Sequence, residues 1–447
     1  MADTHAIVVG AGVAGLCAAR VLAESFDRVT VLDRDVLPQS GDPRPGVPQG
    51  RHVHAVLVRA TLAIRELFPG LIEEAAAEGM PMGDVLADSC AYLGPHRLRP
   101  APSGLEGICI SRPQLEFRLR RRLAELSNVG IAAESVVGLT ASAGGGAVTG
   151  VRLGPERELP GDLVVDASGR GSRATRWLTD LGHSAPPEQR FDVDVAYSSC
   201  TFAIPRGAVG NDLGILVVGT PRNPRGGGVV DMGGGEWLVS LAGYRGNHPP
   251  VTLDGFLDFA ARLPVPDIHR ALRAATPVGT PVRFRYPQAV RRHFERLPRF
   301  PDGLVIVGDA VSSFNPVYGQ GMSVAALEAL LLRRHLRAHG AQGLAGLRHQ
   351  IAEASAVAWS MSTNNDLRMP WIPGRRPPSV RLGNAYLALL HRAARHDAHV
   401  ARAFMRVANL VDGPAGIARP SIALRVLIGS LPRPAPQPSG RRSSSHA

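Results

Sequence analysis

The chain opens with His5-Ala6-Ile7-Val8-Val9-Gly10-Ala11-Gly12-Val13-Ala14-Gly15, and an Ala-rich run follows over 16–24. An apolar strand, a glycine turn and a helix in that order give G-x-G-x-x-G its structural context. Gly10 allows the tight turn, Gly12 lets a pyrophosphate come against the backbone, and Gly15 lets helix and strand pack closely. The phosphates then meet the unpaired N–H groups and the positive dipole end of the helix. A second apolar strand, Arg28-Val29-Thr30-Val31-Leu32, ends at Asp33. That acid stands about 18 residues past Gly15, close to the spacing of a ribose-hydroxyl acceptor. These residues predict a Rossmann-type α/β domain that binds a dinucleotide.

Composition narrows the rest. At 447 residues with 45% apolar content, the chain is long enough for two interleaved domains and an appendage. Its net charge is +12, yet all 50 basic side chains are arginine and none is lysine. The arginines are dispersed among acids and aromatics are only 5%, which argues against a nucleic-acid partner. A lysine Schiff base is excluded outright. Asp3 and the glycine turn occupy the place of a signal peptide, and no apolar run reaches the roughly 18 residues of a bilayer span. Cys17, Cys90, Cys109 and Cys200 are scattered, with no C-x-x-C pair. The expectation is a cytoplasmic protein with neither a disulfide framework nor a metal site.

Taken in order, residues 1–182 read as the first part of the dinucleotide domain. A Pro/Gly-rich loop over 42–49 lies across the cofactor, and a helix is expected over 51–68. Strands within 83–110, turning at Gly94-Pro95, belong with the substrate domain. Ser111-Arg112-Pro113-Gln114 opens another helix as a capping box. A hairpin is expected between 130–137 and 147–153, and Leu163-Val164-Val165 is a buried strand ending at Asp166. Residues 183–300 carry short alternating strands and predict a mainly antiparallel substrate sheet. Residues 301–340 return to the first domain, and 341–431 read as a helical region. The proline- and serine-rich tail over 432–447 is too polar to pack and is expected to be disordered.

A second signature lies about 300 residues beyond the first, farther than one βαβ unit reaches. It reads Val307-Gly308-Asp309-Ala310-Val311, then Phe314-Asn315-Pro316-Val317-Tyr318-Gly319-Gln320-Gly321-Met322. An acid at a strand tip can accept from ribityl hydroxyls. The helix starting near Met322 presents its positive end to the pyrimidine of a flavin. With the Asp166-Ala167-Ser168-Gly169-Arg170 segment between them, these motifs resemble FAD-dependent monooxygenases of the para-hydroxybenzoate hydroxylase type. The resemblance covers residues 1–340. Pro48-Gln49-Gly50-Arg51-His52-Val53-His54 and the 314–322 wording look closest to squalene-epoxidase-like enzymes of polyketide and terpenoid pathways.

The resemblance implies a GR2-like Rossmann FAD domain, with Gly10, Gly12, Ala14, Gly15 and Asp33 on the ADP half and Arg34 beside the adenine. It also implies Arg51 and Arg112 at the pyrophosphate or ribityl chain, and Val136, Asp166, Gly308 and Asp309 along the cofactor. Arg51, Pro316, Gly319, Gly321 and Met322 are expected around the flavin ring. Phe314, Asn315, Tyr197 and Tyr244 are candidate substrate-pocket residues. His52 and His54, read as helical, are expected to point to different sides, so that at most one faces the site.

The implied activity is insertion of one oxygen atom from O2 through a flavin C4a-hydroperoxide, with an epoxidase of an apolar alkene leading. An aromatic hydroxylase, an alkene reductase and a non-catalytic flavoprotein are the alternatives. A halogenase is excluded by the missing lysine and W-x-W-x-I-P motif. The Asp-Ala-Ser-Gly wording departs from the family's Asp-Gly. NADPH or NADH is therefore expected to supply electrons either directly or through a separate flavin reductase. Peripheral membrane contact by 380–390 and 422–431 is weighed against simple packing on the flavin domain, and packing is preferred.

Overall fold

A computed structural model describes residues 3–430 except Ala55, Arg206 and Asn211; the tail over 432–447 lies outside the described residues. The fold is α/β. A five-stranded parallel sheet has the order Leu304–Ile306, Leu163–Asp166, His5–Val9, Arg28–Asp33, Val129–Ala133. His5–Val9 is buried along its whole length, as a central strand covered on both faces must be. Helices Val13–Leu22 and Gly321–His339 pack against each other over this sheet.

The second sheet begins with Ser312–Ser313, then runs Val282–Arg292, Glu188–Ala203, Glu236–Tyr244, Arg225–Asp231, Gly214–Val218, Cys90–Leu93 and His96–Arg97. It is antiparallel except where Gly214–Val218 meets Cys90–Leu93. Of the strands expected within 83–110, Met82–Asp84 and Glu106–Ile108 pair only with each other, whereas Cys90–Leu93 and His96–Arg97 join the second sheet, turning at Gly94-Pro95. So does Ser312–Ser313, from the segment assigned to the first domain. One face of the sheet packs Phe202, Val239 and Leu241 on helices Leu253–Ala261 and Asp267–Arg273. The other packs Val195, Tyr197 and Tyr244 against Phe314 and helix Leu344–Asp366. Helices Pro378–Ala394, Ala398–Ala408 and Pro420–Gly429 complete the C-terminal region, as expected.

Two expectations are corrected. Val129–Ala133 is not a hairpin arm: it pairs in parallel with Arg28–Asp33, and the hairpin joins Gly138–Ala141 to Val148–Arg152. The open edge of the parallel sheet takes the first apolar run, leaving the hairpin to the next. The helix expected over 51–68 starts only at Val58. Before it lie a 3-10 turn, Pro48–Arg51, and an extended stretch. The Val53 N–H bonds Ser240 Oγ of the second sheet, so tertiary contacts take the amide that a helix would have used.

Among the described residues no helix is long and apolar enough to cross a membrane, and no cluster of metal-ligating side chains forms. All four cysteines are free thiols.

Candidate FAD and substrate site

The carboxyl ends of the parallel strands converge, and a crevice there is where open α/β sheets bind ligands. A cavity of about 700 Å³ starts at this edge and continues to the second sheet. Its first end is built by the glycine turn. Gly10 has φ +105, and a Cβ there would sit 2.6 Å from the Ala167 carbonyl oxygen. At Gly15 a Cβ would fall 1.8 Å from the Gly10 carbonyl oxygen, so strand and helix touch through glycine alone. Helix Val13–Leu22 has no side-chain cap at Gly12, which leaves its first N–H groups free for an anion.

Asp33 and Arg34 line this end. Asp33 is already engaged: Oδ2 accepts from Ala11 N at 2.7 Å, and Oδ1 accepts from Asp35 N and Arg44 Nη1, both at 3.0 Å. A carboxylate offers about four lone-pair positions, so room for a ribose hydroxyl remains. Arg44, which sequence reasoning passed over, is buried and also pairs with Asp35 at 2.9 Å and Glu116 at 3.2 Å. Arg112 lines the cavity and is held by Glu116 at 2.8 Å.

Gly308, Asp309, Pro316, Gly319, Gln320, Gly321 and Met322 also line the cavity, with Ala14 and Val136. Gly319 takes a left-handed φ of +65, closing the turn that leads into the helix. Among the described residues the Asp309 carboxylate accepts no hydrogen bond. Burial raises its affinity for a proton, and Arg112, Arg170 and Arg292 oppose that rise. Among the described residues, helix Gly321–His339 also lacks a side-chain cap, and buried Gln320 Oε1 has no partner. An uncapped helix end, an unmet amide oxygen and a free strand-tip carboxylate fit the carbonyls, N–H groups and hydroxyls of FAD. Glu328, fully buried, accepts from Gly308 N at 2.5 Å and so fixes the strand tip behind Asp309. Burial pushes its carboxyl up to about 8.

The end beside the second sheet is aromatic, with Tyr197, Phe284, Tyr286 and Phe314 on its walls. Arg170 lies 5.5 Å from the Phe284 ring centre and 5.2 Å from that of Tyr286. His52 and His54 both line the cavity, because the segment that carries them is extended rather than helical. Burial, with nearby positive charge, lowers both to about 4, so both rings are neutral at neutral pH.

Four expected site residues, Gly15, Arg51, Asp166 and Tyr244, are off the cavity wall. Arg51 is exposed and off the cavity wall, turned out by the 3-10 turn that replaces the expected helix. Asp166 is fully buried behind the wall. Its carboxylate accepts from Ser168 N at 2.9 Å and from the Ser168 and Ser172 hydroxyls at 2.5 Å each, and is spent on folding the loop. Asn315 borders the cavity, but its amide is committed to the Tyr244 hydroxyl at 3.1 Å, Asp366 Oδ1 at 2.8 Å and Val317 N at 3.1 Å. Tyr244 lies behind it, off the wall. Asp366, pushed up to about 7 by burial, also accepts from the Tyr318 hydroxyl at 2.6 Å. It stands 51 residues from Asn315 with no motif around it, so nothing local announces it.

No family model matches the chain. Protein Rv3254 of Mycobacterium tuberculosis (strain ATCC 25618 / H37Rv) is 36% identical over 435 residues, which cover 91% of this chain and 90% of that protein. Among solved structures, a flavoprotein/dehydrogenase from Cytophaga hutchinsonii superposes with a TM-score of 0.66 at 15% identity, covering 96% of this chain and all of that one (100%). PqsL, a probable FAD-dependent monooxygenase from Pseudomonas aeruginosa, gives 0.60 at 17%, covering 82% of this chain and 99% of its own. The Diels-Alderase PyrE3 of pyrroindomycin biosynthesis gives 0.63 at 19%, covering 92% and 81%. At such identities the likeness is one of fold alone. By its similarity along nearly the whole of both sequences, the chain belongs to the family of Protein Rv3254.

Proposed function

We propose that this chain is an FAD-dependent monooxygenase that epoxidises an alkene of an apolar polyketide or terpenoid intermediate. O2 is the co-substrate, and NADPH or NADH is the electron source, directly or through a separate flavin reductase. The observation that carries the reading is a continuous cavity with a dinucleotide cradle at one end and an aromatic chamber at the other.

Bound FAD, once reduced, supplies the means of activating oxygen; the chain binds, orients and shields. The uncapped helix at Gly12 and Arg112 would hold the pyrophosphate, Asp309 the ribityl hydroxyls, and the N-terminus of helix Gly321–His339 the pyrimidine edge. Tyr197, Phe284 and Phe314 keep water from the substrate end.

Epoxidation is favoured over phenol hydroxylation by what lines that end. A phenol needs a base to raise its electron density, whereas an alkene is itself the nucleophile. His52 and His54, lowered to about 4, are weak bases. Tyr197 and Tyr286 are pushed above their ordinary range by burial, and Arg170 is a permanent cation.

The test is a purified protein given reductant, labelled O2 and a panel of polyenes and phenols. One labelled oxygen in an epoxide product, with FAD in the protein, is expected. An alkene reduced to an alkane without oxygen uptake, or hydroxylation of the phenols alone, would overturn the epoxidase reading.

A further inference from the structure

Register in the second sheet puts a row of side chains on one face, and Tyr197 of that row lines the cavity. Val195, Tyr197 and Ser199 stand directly opposite Tyr244, Ala242 and Ser240. The two serines meet at 2.5 Å between hydroxyl oxygens, Val53 N lies 2.7 Å from Ser240 Oγ, and His52 Nδ1 lies 2.6 Å from Ser199 Oγ. The side chains of His52, Ser199 and Ser240 are buried.

The direction of this chain follows from counting hydrogens. A hydroxyl has one, and a backbone N–H can only donate. Ser240 therefore accepts from Val53. Among the described residues, the only acceptor within reach of its own hydrogen is Ser199. Ser199, having accepted, donates to Nδ1 of His52. The reverse direction would leave the Ser240 hydrogen buried without an acceptor, which is the costly case. With Nδ1 as acceptor, a neutral imidazole carries its one hydrogen on Nε2.

His54 takes the opposite form. Its Nδ1 donates to the His52 carbonyl oxygen at 2.9 Å, leaving Nε2 as an acceptor. The His52 ring sits on the cavity wall beside the substrate-sheet rings, 6.0 Å from Tyr197 and 5.7 Å from Phe284 between centres. Among the described residues its Nε2 has no hydrogen-bond partner. Arg170, the cation of this chamber, is stacked over Phe284 and Tyr286 and lies in the field of Asp309.

We propose that the His52 Nε2–H is a tautomer-locked donor that selects substrates bearing a neutral carbonyl oxygen, a ketone or quinone on an otherwise apolar skeleton. It holds that oxygen at the aromatic end of the cavity. The proposal deepens the monooxygenase reading and rests on it for the site's being a substrate site.

Two measurements test it on the FAD-loaded protein. Long-range nitrogen–proton NMR should find His52 neutral, with its hydrogen on Nε2, between about pH 6 and 8. In Ser199→Ala the ring should lose that preference. Titration of the flavin absorbance with 1-tetralone and with tetralin, the same skeleton without its oxygen, should show the ketone bound about three- to tenfold tighter. His52→Phe keeps a ring but no donor and should erase the difference, while His52→Gln should restore part of it.

A hydrogen on Nδ1, a charged ring, or an unchanged ketone preference in His52→Phe would overturn the proposal. Loss of FAD from His52→Phe, unrelieved in His52→Gln, would make the ring a cofactor contact and overturn it equally. A wild-type protein that takes up no FAD would instead sink the monooxygenase reading, and the tautomer measurement would still decide the lock.

Discussion

Asp166 and Asp309 close neighbouring strands of the parallel sheet, yet they differ in what their oxygens meet. Asp166 is fully buried and takes three bonds from its own loop, whereas Asp309 has none among the described residues. Asp309→Ala should therefore weaken FAD binding about tenfold or more, the loss of a hydrogen bond to a charged group, and leave the unfolding midpoint of the FAD-free protein nearly unchanged. Asp166→Ala should do the reverse, costing about 1–3 kcal/mol in denaturant unfolding through the unmet serine and amide donors. Both acids stand out in the sequence as strand-end residues. Their division of labour is not legible there, because it depends on which hydroxyls fold back to reach them.

Glu328 gives a pH dependence with a definite sign. Its carboxyl is raised from 4.5 to about 8, so the folded chain holds a proton that the unfolded chain has released. That contribution is fully present below the unfolded value and is lost as pH rises through about 8. His52 and His54 act oppositely, adding stability only as pH rises toward 6.5. Asp366, raised to about 7, acts in the same direction as Glu328 below that pH, so between about pH 7 and 8 the Glu328 effect stands apart, and wild-type stability should fall across that window. Glu328→Gln keeps an acceptor for Gly308 N and should flatten the slope in thermal melts; an unaltered slope would refute this account.

Arg44 shows how one side chain can fasten a whole segment. The loop over 34–51 has little regular structure, and its proline and glycine content marks it in the sequence as a loop and nothing more. Arg44 ties it to Asp33 at the end of one strand and to Glu116 in helix Arg112–Ala124. Two buried carboxylates and a half-buried third around one guanidinium are tolerable only while the cation is present. Arg44→Ala should destabilise by about 3–5 kcal/mol in chemical denaturation, the cost of buried charges without their partner. The 52–57 segment teaches a related lesson. Its apolar pattern suits a helix or a strand equally, and bonds to Ser199 and Ser240, far away in sequence, make it extended. The inference that only one histidine could face the cavity failed with the helix it assumed.

The cavity is closed by segments from both ends of the chain, so cofactor binding and folding are thermodynamically coupled. FAD added to apoprotein at about a hundred times its Kd should stabilise it by about 2.7 kcal/mol. Asp309→Ala should require correspondingly more FAD for the same shift in midpoint. A midpoint indifferent to FAD would contradict the assignment of this cavity.

Local chemistry left little freedom in the glycine turn after His5–Val9, the acid after Arg28–Asp33's apolar run, or the Gly308-Asp309 tip. Each is set by backbone sterics and strand periodicity, which act over a few residues and can be read off them. The parallel sheet, the antiparallel insertion and the helical C-terminal region follow from the same short-range rules. Which polar groups face the cavity is another matter. Arg44 against three carboxylates, Asp366 behind Asn315, and the serine pair that orients His52 arise from contacts between residues tens to hundreds of positions apart. A hydrogen bond is fixed by distance in space, and distance in space is set only once the core has packed.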